Sequence, residues 1–284
     1  MDFKTIDWNS MWQEESDHSP WNKTAPRDHW NKRAESFSAH INRVVEGKEN
    51  LDKDDYISKM LDRIEVNPEW SVLDIGSGPG TLAIPLAKKA KSVTALDVSS
   101  EMLKHLKNNA ALSGLTNIGY INSSWQEAFD NKQVAEHDVV VASRSLMSGD
   151  MQGAVASIQA IARQAVYLTM PIVHLPFDWE VNKAIGRGGK RHAPYVYFYN
   201  LLYQMGIVAN VEILRSRVKS QFPSIEAAIA DLQWRNEPFT PEETARLREF
   251  LKPRFAEQAN SGIFTFEGYS RWALIWWRQA DQSC

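Results

Sequence analysis

Residues 72–81, VLDIGSGPGT, constrain the fold of this chain more strongly than any other stretch. A short apolar run carries an acid, Asp74, and leads into three glycines at alternate positions before a helical pattern begins. Gly76 suits the tight turn after a strand, Gly78 removes a side chain where a ligand must touch backbone, and Gly80 lets the helix start close to the strand. The stretch therefore predicts a strand, a ligand-binding loop and a helix.

Strand and helix patterns alternate five times after residue 70, with short connections. The runs of strand length cover residues 71–75, 92–98, 117–121, 138–142 and 165–170. Such alternation predicts an α/β fold in which a parallel sheet carries helices on both faces. In the tail, strands are predicted at 208–218 and 269–277, and helices at 177–185, 195–205, 224–232 and 241–255.

Composition and net charge limit the kinds of partner that this chain is expected to bind. The 284 residues include 32 basic and 35 acidic ones, so the formal net charge is -3 and nucleic acid is not an expected partner. The single cysteine, Cys284, excludes an intramolecular disulfide and fits a reducing compartment. The N-terminus lacks a signal-like apolar core, and no apolar run approaches the ~20 residues that span a bilayer. We therefore expect a cytoplasmic protein with no membrane partner.

A second acid, Asp97, ends the next predicted strand. It would lie beside Asp74 at the carboxyl edge of the sheet, where open parallel sheets bind ligands and a carboxylate can accept hydrogen bonds from ribose hydroxyls. Asp74 itself suits a ligand ammonium. The dinucleotide fingerprint requires Gly or Ala three residues after its second glycine, and Thr81 stands there. The set therefore favours a nucleoside cofactor without a pyrophosphate over NAD.

Three segments resemble motifs of the class I S-adenosylmethionine-dependent methyltransferases. Residues 72–87 and 93–103 are similar to the first two family motifs, and residues 138–143, DVVVAS, resemble the fourth-strand motif. The resemblance covers about residues 70–170 closely and the rest in outline. It implies a Rossmann-like sheet of seven mostly parallel strands with an antiparallel last strand, which residues 269–277 fit. It also implies S-adenosyl-L-methionine as the cofactor.

The resemblance further implies where this cofactor binds. The glycine loop would pass under its methionine and ribose portions, the acid after the second strand would hold the ribose, and the residues after the fourth strand would face the methionine end. The implied binding residues are Trp30, Asp74, Gly76, Ser77, Gly78, Gly80, Asp97, Val98, Met102, Ser124, Trp125, Ser143 and Arg144. Met102 could pack on the adenine. Relatives often carry an acid for the adenine amino group after the third strand, where this chain has Ser123, so a serine hydroxyl or a backbone carbonyl would replace it.

The predicted organisation has two parts. Residues 1–65 form an N-terminal helical extension, and residues 66–284 form the methyltransferase core. The core carries an acceptor-side insert at about 171–207 and a helical insert at about 219–262. The inserts would shape the pocket of the methyl acceptor.

The N-terminal extension leaves two interpretations open. Its tryptophans are Trp8, Trp12, Trp21 and Trp30. Their indoles would either anchor the extension on the main body or form an aromatic wall around a cationic or flat substrate. Trp30, Arg33 and Ala34 are similar to a Trp-x-x-Arg-Ala segment that folds over the cofactor in several methyltransferase branches. The extension is therefore either a lid or a packing element.

No residue is assigned as catalytic. Methyl transfer from a sulfonium requires alignment and exclusion of water, and a general base only where the nucleophile must lose a proton. Cys284 is implausibly placed for a cytosine-ring methylase, and residues 143–146, SRSL, replace the Asn/Asp-Pro-Pro-aromatic motif of amino-methylating nucleic-acid enzymes. No Cys/His cluster has metal-ligand spacing, so no metal is expected. His29 and His174 are the histidines best placed near the predicted cleft.

The acceptor side leaves two interpretations open. The basic loop 187–192 and the aromatic run 195–203 form either a lid that recognises an anionic or aromatic acceptor, or a solvated loop beside a core helix. Our first hypothesis is direct methyl transfer to a small-molecule acceptor. A non-catalytic S-adenosylmethionine-binding module and a nicotinamide-dependent oxidoreductase are the alternatives. The acceptor atom and the oligomeric state are not predicted.

Overall fold

The structure is a computed structural model that describes residues 5–17, 26–48, 55–146, 148–173, 176–187, 194–235, 238–258 and 263–282. Trp21, His174, residues 188–192 of the basic loop and Cys284 lie outside these described residues.

Seven strands form one sheet in the order β3-β2-β1-β4-β5-β7-β6. They are β1 (Ser71–Ile75), β2 (Ser92–Asp97), β3 (Ile118–Asn122), β4 (His137–Ala142), β5 (Ala162–Val173), β6 (Asn210–Phe222) and β7 (Phe264–Arg278). The first five strands pair in parallel, and β7 runs antiparallel to both of its neighbours. This arrangement confirms the predicted sheet, including the antiparallel last strand.

Helices flank the sheet. They are α1 (Trp8–Asp17), α2 (Pro26–Val45), α3 (Asp55–Arg63), α4 (Ala83–Ala87), α5 (Ser100–Leu112), α6 (Trp125–Asp130), α7 (Met151–Ile161), α8 (Pro176–Ile185), α9 (Tyr195–Gln204), α10 (Ile225–Arg235) and α11 (Pro241–Glu257), with a 3-10 turn at Gln279–Gln282. Among the helices described, none combines the length and apolar character needed to cross a bilayer.

Local sequence explains where several elements begin. Ser99 caps α5, because its hydroxyl accepts the Met102 amide hydrogen bond at 3.1 Å. Thr240 caps α11 through a capping box with Glu243. The helix predicted after the glycine loop is short and starts at Ala83, three residues after Gly80, whose positive φ lies outside helical geometry.

Two apolar layers enclose the sheet. One face packs against α1, α7 and α9, with Trp12, Ile158 and Phe198 in its buried cluster. The other face packs against α3, α4 and α5, with Ile57 and Leu106 in its cluster. Strands buried on both faces are typical of parallel sheets, which explains why residues 72–75 and 139–142 are continuous apolar runs apart from Asp74.

Indoles of the N-terminal segment anchor it to the core. Trp12 is 6% exposed, its Nε1 donates to the Ser148 carbonyl at 2.9 Å, and its ring lies 6.1 Å from that of Phe198. The ring of Trp8 lies 5.9 Å from that of Tyr197. These contacts hold α1 against α9, as the anchoring interpretation of the tryptophans requires.

A small third core lies beyond the carboxyl edge of the sheet. The last residues of β5 pair with Arg271 of β7, and the β6–β7 hairpin continues past them to the Phe222–Phe264 pair. Phe222 and Phe264 are buried with apolar residues of α8, α10 and α11, and we call these three helices the cap. The helices of the 219–262 insert thus occupy 225–257, since residues 219–222 still belong to β6.

Candidate cofactor and acceptor site

The turn after β1 is fixed against the neighbouring strand. The amides of Gly76 and Ser77 both donate to the Leu96 carbonyl, at 2.7 and 3.0 Å. The three glycines of the loop all have positive φ, which side chains rarely adopt. The sequence therefore folds into a sharp loop at the carboxyl ends of β1 and β2.

The three glycines serve different purposes. A Cβ on Gly76 would lie 2.2 Å from the Cβ of Ser145, which a packed structure cannot accept. A Cβ on Gly80 would lie 2.8 Å from the Ile84 side chain. A Cβ on Gly78 would meet no atom of the described residues within 4 Å. Of the three Cβ directions, that of Gly78 therefore points into open space, which a ligand can occupy.

Asp97 joins this loop to α5. Its Oδ2 accepts the Gly78 amide at 2.7 Å, and its Oδ1 accepts the Ser99 amide at 2.8 Å. The carboxyl is 7% exposed, and burial raises its pKa, against the effect of the two amides. The Asn122 side chain donates to the carbonyls of Asp97 and Val98, at 2.9 and 3.1 Å. The acid is thus held at the open space beside Gly78, and each carboxylate oxygen keeps a second lone pair for a ligand hydroxyl.

Asp74 is a buried acid without full hydrogen bonding. It is 2% exposed, and its Oδ2 has no hydrogen-bond partner among the described residues. Burial, and secondly the Asp97 charge, raise the pKa of Asp74 to about 7. The Ser77 hydroxyl is likewise buried and has no partner. Buried polar atoms are rarely left so, and a ligand cation or donor would satisfy both.

Helix α2 reaches the same edge. Asn31 Oδ1 accepts a hydrogen bond from the hydroxyl of Ser99, two residues after Asp97, at 2.7 Å. Trp30 precedes Asn31, and its ring lies edge-on to Phe37 at 5.6 Å. On the same helix, Arg33 lies 3.6 Å from Asp231 of α10. Helix α2 therefore connects the start of α5 with the cap.

Some of the side chains predicted to lie near the adenine are buried in the protein core. The Trp125 indole is 8% exposed, and its Nε1 donates to the Ser157 hydroxyl at 2.9 Å within the core beneath α7. Ser124 caps α6 through a capping box with Glu127, and Met102 is 2% exposed in the first turn of α5. The structure thus gives the Trp125 side chain a packing position, which spacing after β3 did not indicate.

Ser143 and Arg144 join a network that the sequence did not suggest. The Tyr56 hydroxyl, from α3, donates to Thr169 Oγ1 at 2.9 Å and lies 2.8 Å from Ser143 Oγ. The Arg144 amide also donates to Thr169 Oγ1, at 2.8 Å. Tyr56 and Thr169 are each 2% exposed. Tyr56 and Asn31 were missed because α3 and α2 lie far from the glycine loop in sequence, and helical spacing does not reveal where a helix docks.

The described part of the basic loop is structural. Arg187 forms two hydrogen bonds with Glu243 of α11, at 2.7 and 2.6 Å, and another with the Pro238 carbonyl at 2.9 Å. The Arg187 hydrogen bonds hold the pKa of Glu243 down at about 2. In the following aromatic run, Tyr199 donates to the Ala209 carbonyl at 3.0 Å, while Tyr203 is 65% exposed. Arg187 therefore joins α8 to α11 within the cap.

Comparisons with known proteins agree with this geometry. A family model described as a methyltransferase domain matches residues 72–165. An uncharacterised protein of Haemophilus influenzae is 34% identical over 223 residues, 78% of this chain and 81% of that protein. The 23S rRNA (uracil(1939)-C(5))-methyltransferase RlmD of Vibrio cholerae is 25% identical over 114 residues, 40% of this chain but only 26% of that enzyme. The solved structure of the YcgJ protein from Bacillus subtilis shares the fold, with a TM-score of 0.54 at 14% identity over 78% of this chain and 97% of that one.

The chain belongs to the class I S-adenosylmethionine-dependent methyltransferase family. It is a methyltransferase with S-adenosyl-L-methionine as its cofactor. The residues present fit this cofactor: Asp97 can accept ribose hydroxyls, open space borders Gly78, and the unpartnered oxygen of Asp74 suits an ammonium group. The nicotinamide and non-catalytic alternatives are set aside.

The raised pKa of Asp74 predicts a pH-dependent gain in stability for Asp74→Asn. Between pH 4 and pH 7 the folded carboxyl keeps a proton that the unfolded one, with a pKa near 3.8, has lost. Wild-type stability therefore falls as pH rises through this range, by an amount on the order of 3 kcal/mol. The asparagine variant lacks this loss, so its melting temperature relative to wild type should rise from pH 4 to pH 7 and then stay level.

Calorimetric melting at several pH values measures this difference. Asp138→Asn is the matched control, because hydrogen bonds from Ser71 and Arg163 hold the pKa of Asp138 below its usual value despite burial. That control should lose stability relative to wild type as the pH rises through the ordinary range of an aspartate. A pH-independent difference for Asp74→Asn would show that the buried carboxyl titrates normally.

Proposed function

We propose that this enzyme transfers the methyl group of S-adenosyl-L-methionine directly to a small-molecule acceptor. One observation supports a small acceptor. Helix α2 contacts the start of α5 through Asn31 and contacts the cap through the Arg33–Asp231 pair. A bridge of this kind over the carboxyl edge favours an enclosed pocket. Enclosure excludes water and suits a small acceptor better than a polymer.

The cofactor would occupy the carboxyl edge between β1 and β2. Gly78 would give it access to backbone, Asp97 would accept from its ribose, and Asp74, in the strand that leads into the loop, would face its ammonium. In addition, we propose contacts from Trp30, Gly76, Ser77, Gly80, Val98, Met102, Ser124 and Ser143, and from the backbone of Trp125. Arg144, which the resemblance places at the methionine end, is left out of this set because its guanidinium stacks on Tyr56, whose hydroxyl donates to Thr169 of β5. The binding of a cation at Asp74 would favour the ionised carboxyl and release a proton below pH 7.

Methyl transfer requires the protein mainly to position the cofactor and the acceptor. S-adenosyl-L-methionine, when bound, supplies an activated methyl group on a sulfonium. The chain orients it through the glycine loop, while α2 and the cap would exclude water and align the acceptor. A general base is needed only for an acceptor that loses a proton, and we assign none.

The domain arrangement follows from this proposal. Residues 1–65 would act as a lid through α2 and as an anchor through α1. Residues 66–284 would form the methyltransferase core. Its inserts at about 171–207 and 219–262 would supply the cap on the acceptor side. The single cysteine supports a reducing compartment, and we retain the cytoplasm as the proposed location.

A nucleic acid is the second candidate acceptor, favoured by one face of the β6–β7 hairpin. Four cations and one acid are exposed there: Arg215, Arg217, Lys219, Arg271 and Glu267. Tyr269 lies opposite Arg217, and the Arg215 guanidinium is 3.8 Å from its ring. Alternate residues of a strand are about 7 Å apart, so the cations could track successive phosphates while the tyrosine stacks on a base. RlmD, which the chain matches over a short part, is named as an rRNA methyltransferase.

One experiment distinguishes the two acceptors. The protein is incubated with methyl-labelled S-adenosyl-L-methionine and a cell extract, which is then passed through an ultrafiltration membrane that retains proteins and RNA. We expect the filtrate to contain a labelled compound that forms only with the enzyme and that chromatography separates from S-adenosyl-L-methionine. Retained label that ribonuclease releases would instead support the nucleic-acid acceptor. Retained label that only protease releases would contradict both.

A further inference from the structure

Arg144 follows the end of β4 and has no carboxylate partner within the part of the chain that the structure describes. Its guanidinium lies over the Tyr56 ring, 4.3 Å from the centroid, and the residue is exposed. Many arginines of the described chain pair with an acid: Arg33, Arg63, Arg163, Arg187, Arg248, Arg254 and Arg278. No such pair includes Arg144 among the described residues. A cation stacked on a buried aromatic ring is therefore available for an anion.

The surroundings hold this guanidinium in place. Arg144 has a φ of 58°, which non-glycine residues seldom adopt and which recurs at functional sites. Thr169 Oγ1 accepts both the Arg144 amide and the Tyr56 hydroxyl, so one side chain fixes the backbone of the arginine and the ring beneath it. The position is thus preorganised before any ligand arrives.

The guanidinium lies on the acceptor side of the site. Thr169 belongs to β5, and the ring of Tyr56 contacts Trp272 of β7 at 6.1 Å. The chain returns towards β1 only at Ser145, whose hydroxyl donates to the Ile75 carbonyl. The glycine loop and Asp97 lie at β1 and β2, on the other side of β4.

We propose that Arg144, stacked on Tyr56, anchors a carboxylate of the methyl acceptor, so that the acceptor is a small carboxylic acid. This inference rests on the proposed function and specifies its substrate class. The guanidinium presents paired N–H donors that match the two oxygens of a carboxylate. S-adenosyl-L-methionine also carries a carboxylate. The experiment must therefore distinguish whether Arg144 binds the carboxylate of the acceptor or that of the cofactor.

Calorimetry separates the two sources. S-adenosylhomocysteine carries the amino-acid carboxylate, whereas 5′-methylthioadenosine lacks it. For Arg144→Gln we expect affinities for both nucleosides within about 2-fold of wild type. A loss of about 10-fold for S-adenosylhomocysteine alone would assign the guanidinium to the cofactor and overturn the inference. Arg248→Gln, on the outer surface of the cap, is the charge-matched control.

Nuclear magnetic resonance then tests the anion site directly. The Arg144 Nε–H signal, identified by its absence in Arg144→Lys, is followed during titration with sodium phenylacetate and, separately, phenylacetamide. We expect a saturable shift with phenylacetate only, and a dissociation constant raised about 10-fold or more in Arg144→Gln when binding is measured by calorimetry. Equal shifts with the amide or with sodium chloride would overturn the inference.

The titration is run with and without S-adenosylhomocysteine, which keeps two failures apart. A wild-type protein that binds phenylacetate at Arg144 but does not bind S-adenosylhomocysteine would refute the proposed cofactor site and retain the anion site. Normal S-adenosylhomocysteine binding without a phenylacetate response would refute the anion site alone.

Discussion

Replacing Asp97 with asparagine is expected to weaken the binding of S-adenosylhomocysteine roughly 100-fold, or about 2.7 kcal/mol. The wild-type carboxylate accepts the Gly78 amide at 2.7 Å and the Ser99 amide at 2.8 Å. An asparagine keeps one acceptor oxygen and turns an amino group towards the other amide. The variant thus loses a charge-assisted bond to the loop and the anionic acceptor proposed for the ribose.

Isothermal titration calorimetry measures this loss, and the same sheet offers a control. Asp138 is a carboxylate at the amino edge of β4, hydrogen-bonded to Ser71 and paired with Arg163 at 2.9 Å. Asp138→Asn removes the same charge far from the carboxyl edge and should leave the affinity unchanged. Equal affinities of Asp97→Asn and wild type would remove Asp97 from the cofactor site.

The position of Asp97 could be predicted from sequence because it depends on local patterns. A buried strand that ends in an acid, followed by a capping serine, determines both the direction of the strand and the start of the helix after it. Parallel neighbours then place the carboxyl ends of β1 and β2 together. The number of strands and the antiparallel β7 followed from the resemblance rather than from the pattern.

The acceptor side could not be predicted in the same way. Tyr56 and Thr169 are separated by 113 residues in sequence, yet they share a hydrogen bond of 2.9 Å. No periodicity records such a contact, because it depends on how α3 packs beneath the sheet. Arg187 was also not predictable, because its basic neighbourhood in sequence does not record that Glu243 of α11 pairs with it in the cap.

Substituting alanine at Gly76, Gly78 and Gly80 should separate folding from binding within one loop. At Gly76 the new Cβ would meet that of Ser145 at 2.2 Å, so we expect destabilisation of about 4 kcal/mol or more. At Gly80 the overlap is smaller than at Gly76, since the new Cβ would lie 2.8 Å from Ile84 and 3.0 Å from Leu106, so we expect an intermediate loss. At Gly78 the new Cβ would meet no atom of the described residues within 4 Å, so only the backbone cost of about 1–2 kcal/mol applies.

The affinities of the three variants for S-adenosylhomocysteine should follow a different order from their stabilities. Gly78→Ala places a methyl group in the open space proposed for the cofactor, so its affinity for S-adenosylhomocysteine should fall about 100-fold or more while the protein stays folded. Gly114→Ala is the matched control, because Gly114 also has a positive φ, of 67°, and open space around its Cβ, but ends α5 away from the loop. The two variants should therefore melt alike and differ only in calorimetric titration. If they also bind alike, the space beside Gly78 is not where the cofactor lies.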